Sequence, residues 1–208
     1  MKSILLTDEC SIIRSGIKSL IKDICLQVKI DEAGNEYEIA RFLKARRYDL
    51  IILDIDIPEI DFANLMNWIR ISYPDSRMLI FSMYPEEIYG VRCMQMGAKG
   101  YLRKTASIDE IKLAIRNVLD GRKYISSGLG ELILNIDSKH KADNPFSRLS
   151  VRELEIVKHL NEGKSLPGIC DILKIQYSTA NTYKRRIFDK LNVHTLYSLS
   201  QLMRSFHM

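Results

Sequence analysis

Chemically capable side chains recur in this chain wherever a short apolar run stops. Asp8-Glu9 follow Ser3 to Thr7, Asp54 follows Ile51-Ile52-Leu53, Ser82 follows Met78 to Phe81, and Lys104 follows Tyr101 to Arg103. Such runs are too short for buried helices and read as buried strands, so each of these residues is expected at a strand's carboxyl end. In an open parallel sheet that edge borders the ligand crevice. Three carboxylates gathered there repel one another unless protonated or neutralised, and a hard cation with oxygen ligands is the economical remedy, which implies magnesium. Ser82 and Lys104 would add a hydroxyl and a fixed cation to the same edge. Singly, each residue has a plainer reading: an acid ending a strand in solvent, a helix cap, a surface lysine. Their joint placement argues against coincidence.

The elements that must position these residues alternate along the first part of the chain. After the first strand, Ile13, Ile17, Leu20, Ile21 and Ile24 recur at helical spacing. Gln27 to Ile30 reads as a strand and Glu36 to Arg46 as a helix; the strand before Asp54 follows, closed by Pro58. Ala63 to Ser72 and Glu86 to Met96 read as helices around the strand Met78 to Phe81. A last helix begins at Ser107, where Ser107 and Glu110 form a capping-box pattern, and stops at Gly121. Five strands alternating with five helices predict an α/β unit, a flavodoxin-like doubly wound (βα)5 fold over residues 1–121. Strand order 2-1-3-4-5 would bring Asp8, Glu9 and Asp54 together at the switch point.

These residues resemble the receiver domain of bacterial two-component response regulators: Asp8-Glu9, Asp54 with Pro58 after it, Ser82, Tyr101 and Lys104. The resemblance implies that Asp54 accepts a phosphoryl group from a sensor histidine kinase. Asp8, Glu9, Asp54 and the backbone carbonyl of Asp56 would hold Mg2+, Ser82 and Lys104 would bind phosphoryl oxygens, and Tyr101 would swing inward when Ser82 moves. Phe62, where glycine is common, and the large Met83 and Tyr84 depart from the pattern and bear on the lifetime of the phosphorylated form.

At 208 residues, two compact units are expected. Hydrophobic content of 46% and charged content of 27% are ordinary for a globular protein, and no apolar run approaches a membrane span, so the expectation is a cytoplasmic protein with no membrane partner. Cys10, Cys25, Cys93 and Cys170 are scattered, which predicts reduced, mostly buried thiols. Charge is asymmetric: of 31 Lys+Arg and 26 Asp+Glu, 10 and 5 fall in residues 147–208, leaving 21 of each in residues 1–146. A neutral first unit joined to a basic second one suggests that the second meets a polyanion.

Residues 122–146 read as a linker, with one weakly helical patch at Leu129 to Ile136 and the polar run Asp137 to Asn144. The second unit, 147–208, opens with a second capping box, Ser150 to Glu153, followed by an apolar helical face to Gly163. A short helix from Ser165 to Leu173 precedes Tyr177 to Leu191, whose stripe Ala180, Ile187, Leu191 opposes Ser178, Asn181, Thr182 and Arg185, flanked by Lys184, Arg186 and Lys190. Helix, tight turn and helix with a basic outer face predict a small all-α helix-turn-helix unit on double-stranded DNA.

Leu149 to Glu153, Gly163-Lys164-Ser165, Thr179 and Lys190 to Val193 also resemble the LuxR-type DNA-binding domain. This implies four helices, with Asn181, Thr182 and Arg185 at base-contact positions and Thr179 and Lys190 serving the DNA backbone. Ala180, Asn181 and Tyr183 stand where other residues are common. The two halves together resemble a NarL/FixJ-type response regulator, which implies a phosphorylation-dependent transcriptional regulator that dimerises when phosphorylated. It would be no enzyme, beyond accepting a phosphoryl group and losing it by self-catalysed hydrolysis. Two other readings stand beside this one. Asp54 and Asp56 also fit the D-x-D of haloacid-dehalogenase-like phosphatases. A DNA-binding regulator that works without phosphorylation is the other.

Overall fold

Five parallel strands stand in the order β2-β1-β3-β4-β5 in the computed structural model of the chain, which describes residues 1–58, 60–134 and 144–206. The strands are β1 Lys2–Thr7, β2 Val28–Ala33, β3 Leu50–Leu53, β4 Arg77–Ser82 and β5 Gly100–Arg103. Between and after them run α1 Ser11–Ile24, α2 Glu36–Ala45, α3 Phe62–Ser72, α4 Glu86–Gln95 and α5 Ile108–Leu119. β1 pairs with both β2 and β3, so the chain reverses its winding between the ends of β1 and β3. Asp8 and Asp54 follow those two strands directly.

Alternation along each strand divides the core into two layers. Ile4, Leu6, Ile52, Leu79 and Phe81 face α1 and α5 through Ile17, Ile21, Ile111, Ile115 and Val118. Leu5, Ile51, Leu53, Ile80 and Tyr101 belong to the opposite layer, with Ile39, Phe62, Met66, Ile69, Ile88 and Tyr89. All four β3 side chains are buried, as a strand covered on both faces requires.

The second capping partner expected at α5 has another occupation. Ser107 accepts from the Glu110 amide at 3.2 Å, but the Glu110 carboxylate accepts from the Tyr124 hydroxyl at 2.5 Å. Tyr124, inside the expected linker, forms a bridge beside Gly100 of β5. The next helix, α6 Ser127–Leu134, starts two residues earlier than the expected patch at Leu129 and packs on α4, with Leu129 fully buried. The polar run from Asp137 to Asp143 lies outside the described residues.

A 3₁₀ turn at Pro145–Arg148 leads into α7 Val151–Asn161, α8 Leu166–Leu173, α9 Tyr177–Leu191 and α10 Leu196–Ser205. Ser150 and Glu153 form the full capping box at α7. Lys174 and Asn192, both left-handed at φ 51° and 53°, end α8 and α9. Phe146, Leu154, Ile156, Ile169, Ile187 and Leu199 form the core of this unit, and that core is continuous with the α2–α4 layer of the sheet. Of the cysteines only Cys93 is buried; Cys10 is exposed, Cys25 and Cys170 are half-buried, and all are free, which corrects the expectation of mostly buried thiols. No helix among the described residues is long and apolar enough to cross a membrane.

Candidate functional site

The ends of β1, β3 and β5 meet around one ammonium group. Lys104 Nζ lies 2.6 Å from Asp8 Oδ2 and 2.8 Å from Asp54 Oδ2. Both carboxylates are 1% exposed. Asp54 Oδ1 has no hydrogen-bond partner, and the Asp54 amide donates weakly to Thr7 Oγ1 at 3.4 Å. Burial pushes the Asp54 carboxyl up to about 6 against the pull of Lys104, and the neighbouring charge of Asp8 adds to the rise. Burial alone would lower Lys104, but its bonds to Asp54 and Asp8 raise it above the usual lysine value.

Glu9 and Asp56 line the same crevice, a cavity of about 440 Å³. Glu9 stays exposed on its rim, and among the described residues no three carboxylate, imidazole or thiol groups gather closely enough to hold an ion. The expected convergence of three carboxylates is two buried carboxylates, with one of their two charges offset by Lys104, and Glu9 on the rim. Two carboxylates are what Mg2+ asks of a protein when phosphate and water supply its remaining oxygens. The buried, unpartnered Asp54 Oδ1 is a hard donor of that kind, so the residues present fit the ion.

Ser82 is fully buried at the end of β4, where its Oγ accepts from the Tyr84 amide at 3.2 Å. It does not line the cavity; Met83 does. Tyr101 is fully buried and donates from its hydroxyl to the Tyr84 carbonyl at 2.8 Å. It thus already occupies the inward end of the expected swing.

Sequence reasoning missed the fourth wall of this crevice, which comes from the second unit: Lys158, His159, Glu162 and Lys164. Lys158 Nζ lies 2.7 Å from Asp56 Oδ1 and donates to the Ile55 carbonyl at 3.3 Å. One turn earlier, Glu155 Oε1 accepts from the Ala63 amide at 2.8 Å, and Arg152 pairs with Asp61 at 2.6 Å. Arg92 of α4 donates to the carbonyls of Ser147 and Leu149 at 2.8 and 2.5 Å, and also to those of Phe146 and Ile88. Arg152, Glu155 and Lys158 recur every three residues on one face of α7, and that charged stripe was the available signal.

The outer face of α9 is open. Ser178, Thr179, Asn181, Thr182, Arg185 and Arg186 are exposed, while Ala180, Ile187 and Leu191 are buried. Thr182 is tied to its own helix, donating to the Ser178 carbonyl at 2.8 Å. The Lys184 ammonium sits 5.5 Å over the Phe188 ring. Lys190 is held by both Glu153 oxygens, at 2.8 and 2.7 Å, so its ammonium has a protein partner in addition to any DNA phosphate.

Comparison with known proteins gives two family matches along the chain. Residues 4–116 match the response regulator receiver domain, and residues 147–203 match the bacterial regulatory proteins of the luxR family. Response regulator UvrY of Escherichia coli K12 is 30% identical over 203 residues, covering 97% of this chain and 93% of that protein. Response regulator GacA of Pseudomonas aeruginosa is 31% identical over 195 residues, 93% and 91% of the two chains. In fold, the chain matches RcsB from Salmonella enterica serovar Typhimurium, bound to the rprA promoter in the presence of the phosphomimetic BeF3−, with a TM-score of 0.81 at 18% identity over 98% of each chain.

Proposed function

The chain belongs to the response regulators that join a receiver to a LuxR-type DNA-binding domain, and from that premise we propose that Asp54 takes a phosphoryl group from a sensor histidine kinase. It is a DNA-binding transcription regulator of a two-component system. The phosphoryl group would control how a homodimer holds double-stranded DNA. Supporting this reading above all is Asp54 Oδ1, a buried carboxylate oxygen with no partner of its own beside a fixed ammonium.

In the transfer, Asp54 Oδ1 attacks phosphorus while the bond from phosphorus to the kinase imidazole nitrogen breaks, its electron pair leaving with that nitrogen. Lys104 lies within reach of Asp54 and offsets charge on the transferring oxygens; Ser82 at the end of β4 would take one of them. Asp8, Asp54 and the Asp56 carbonyl would hold Mg2+, with Glu9 at the rim. The ion supplies positive charge against the phosphoryl oxygens when bound. The D-x-D phosphatase reading would make the Asp56 carboxylate an acid or base, but that carboxylate is ion-paired to Lys158. On α9, exposed Asn181, Thr182 and Arg185 would read bases in the major groove, with Ser178, Thr179, Lys184 and Lys190 toward phosphates.

The experiment is intact-mass measurement after incubation with acetyl phosphate. A magnesium-dependent adduct of one phosphoryl group is expected in the wild type and not in Asp54→Asn; an unchanged adduct in that variant would overturn the assignment.

A further inference from the structure

We infer that the DNA-binding domain is itself a wall of the phosphoacceptor site, and that Lys158 is a positioning residue through which the charge in the crevice sets how firmly that domain docks. The inference rests on the reading of Asp54 and its magnesium site given above. Its basis is the contact of Lys158 with the loop after β3: the ammonium holds the Asp56 carboxylate at 2.7 Å and the Ile55 carbonyl at 3.3 Å. That loop also includes Asp56, whose backbone carbonyl would help hold the ion. Lys158 is no stray surface lysine, since its side chain is only 14% exposed. The pairs of Arg152 with Asp61 and Glu155 with Ala63 set α7 along the start of α3, while Arg92 fastens the 3₁₀ turn to α4.

Charge in the crevice gives the contact a sign. Asp8, Glu9, Asp54, Asp56 and Glu162 face Lys104, Lys158 and Lys164, five carboxylates against three ammonium groups. Lys158 itself apart, five carboxylates against two ammonium groups leave a net charge of minus three that attracts Lys158. A divalent cation cuts that charge to minus one and so weakens the hold on Lys158. A phosphoryl group on Asp54 then puts about two negative charges where the carboxylate had one, and restores part of the attraction. The phosphoryl group therefore favours the docked domain and magnesium alone disfavours it. Because linkage is reciprocal, the docked domain strengthens binding of phosphoryl-like anions and weakens binding of magnesium alone. The docked arrangement leaves the outer face of α9 exposed, so tightening it does not cover the DNA-binding surface.

The test is calorimetric titration of the full chain, first with magnesium alone and then with beryllofluoride in saturating magnesium, in wild type, Lys158→Ala and Lys158→Arg. Lys158→Ala is expected to bind magnesium alone more tightly and beryllofluoride more weakly, each by roughly threefold to tenfold for one partly buried charge. Lys158→Arg keeps the charge and should follow the wild type. A lysine that merely props up the fold would shift both affinities in one direction, and equal melting temperatures of the three proteins check that route separately. Shifts of the same sign, no shift, or an arginine variant that behaves like alanine would overturn the inference. A wild type that binds neither ligand would instead overturn the phosphoacceptor reading, and this inference with it.

Discussion

Lys104 and Asp54, fifty positions apart in sequence, form a 2.8 Å ion pair in a buried site where Asp8 is the ammonium's second partner. Removing the lysine leaves two carboxylates side by side without a counter-charge. Lys104→Ala is expected to lower the unfolding free energy by about 3 kcal/mol, as for a broken buried pair. Millimolar magnesium should recover part of this loss, because the ion takes over the neutralising role. Urea denaturation with and without magnesium checks both, and a variant as stable as the wild type would contradict the burial of the pair.

The face of α9 separates two kinds of loss. Arg185→Ala should weaken a specific DNA site by roughly 1 to 3 kcal/mol if Arg185 reads a base, and should leave stability unchanged because the side chain is exposed. Lys190→Ala should weaken all sequences alike, and it should also destabilise the domain by about 1 kcal/mol, since buried Glu153 loses its cation while the exposed lysine end is partly screened. Binding titrations on specific and scrambled duplexes, with parallel thermal melts, distinguish the two.

The strand ends were legible because each is a local event: a bulky apolar run and then a polar stop. The capping box at Ser150 was legible for the same reason, whereas that at Ser107 was half right, since Tyr124 claimed the Glu110 carboxylate from outside the local pattern. Glu9 shows a limit of a different kind, because following a strand places a residue at the crevice without deciding between floor and rim. The docked second unit was legible only as a charged stripe on α7, with nothing local to say what that stripe faces. Arg152, Glu155 and Lys158 look like an ordinary solvated face of α7, and the bonds of Glu155 and Lys158 reach partners 92 and 103 positions away. The polar composition before Pro145 argued for separate bodies, and no pattern local to that stretch could reveal Arg92 holding the carbonyls of Ser147 and Leu149.

Tyr101 tests the inward state of the receiver. Its hydroxyl is the donor to the Tyr84 carbonyl, so Tyr101→Phe leaves that acceptor without it at a cost of about 1 kcal/mol. Stability by denaturation should fall by that amount. Adduct formation on Asp54 should persist, because neither Asp54 nor Lys104 is touched. A variant that loses the adduct would tie Tyr101 to the chemistry itself.

Glu155 makes docking depend on pH. Burial pushes its carboxyl up to about 7; the Ala63 amide and Arg152 oppose the rise, and the charge of Asp61 adds to it. If α7 leaves the receiver, this carboxyl returns toward its ordinary value of 4.5. The docked state then binds the proton more tightly than the undocked one, so docking gains as pH falls through about 7 and the gain is complete only below the ordinary value. His159 works in the opposite sense: burial lowers its pKa, so protonating it opposes the structure that buries it. Glu155→Gln removes the first effect and keeps the second, and the difference between the two proteins isolates Glu155. Small-angle scattering between about pH 8 and pH 5.5 should find the wild type becoming more compact on acidification relative to Glu155→Gln. Parallel profiles for the two proteins, or a wild type that expands relative to the variant, would show that Glu155 does not carry its proton across the docking step.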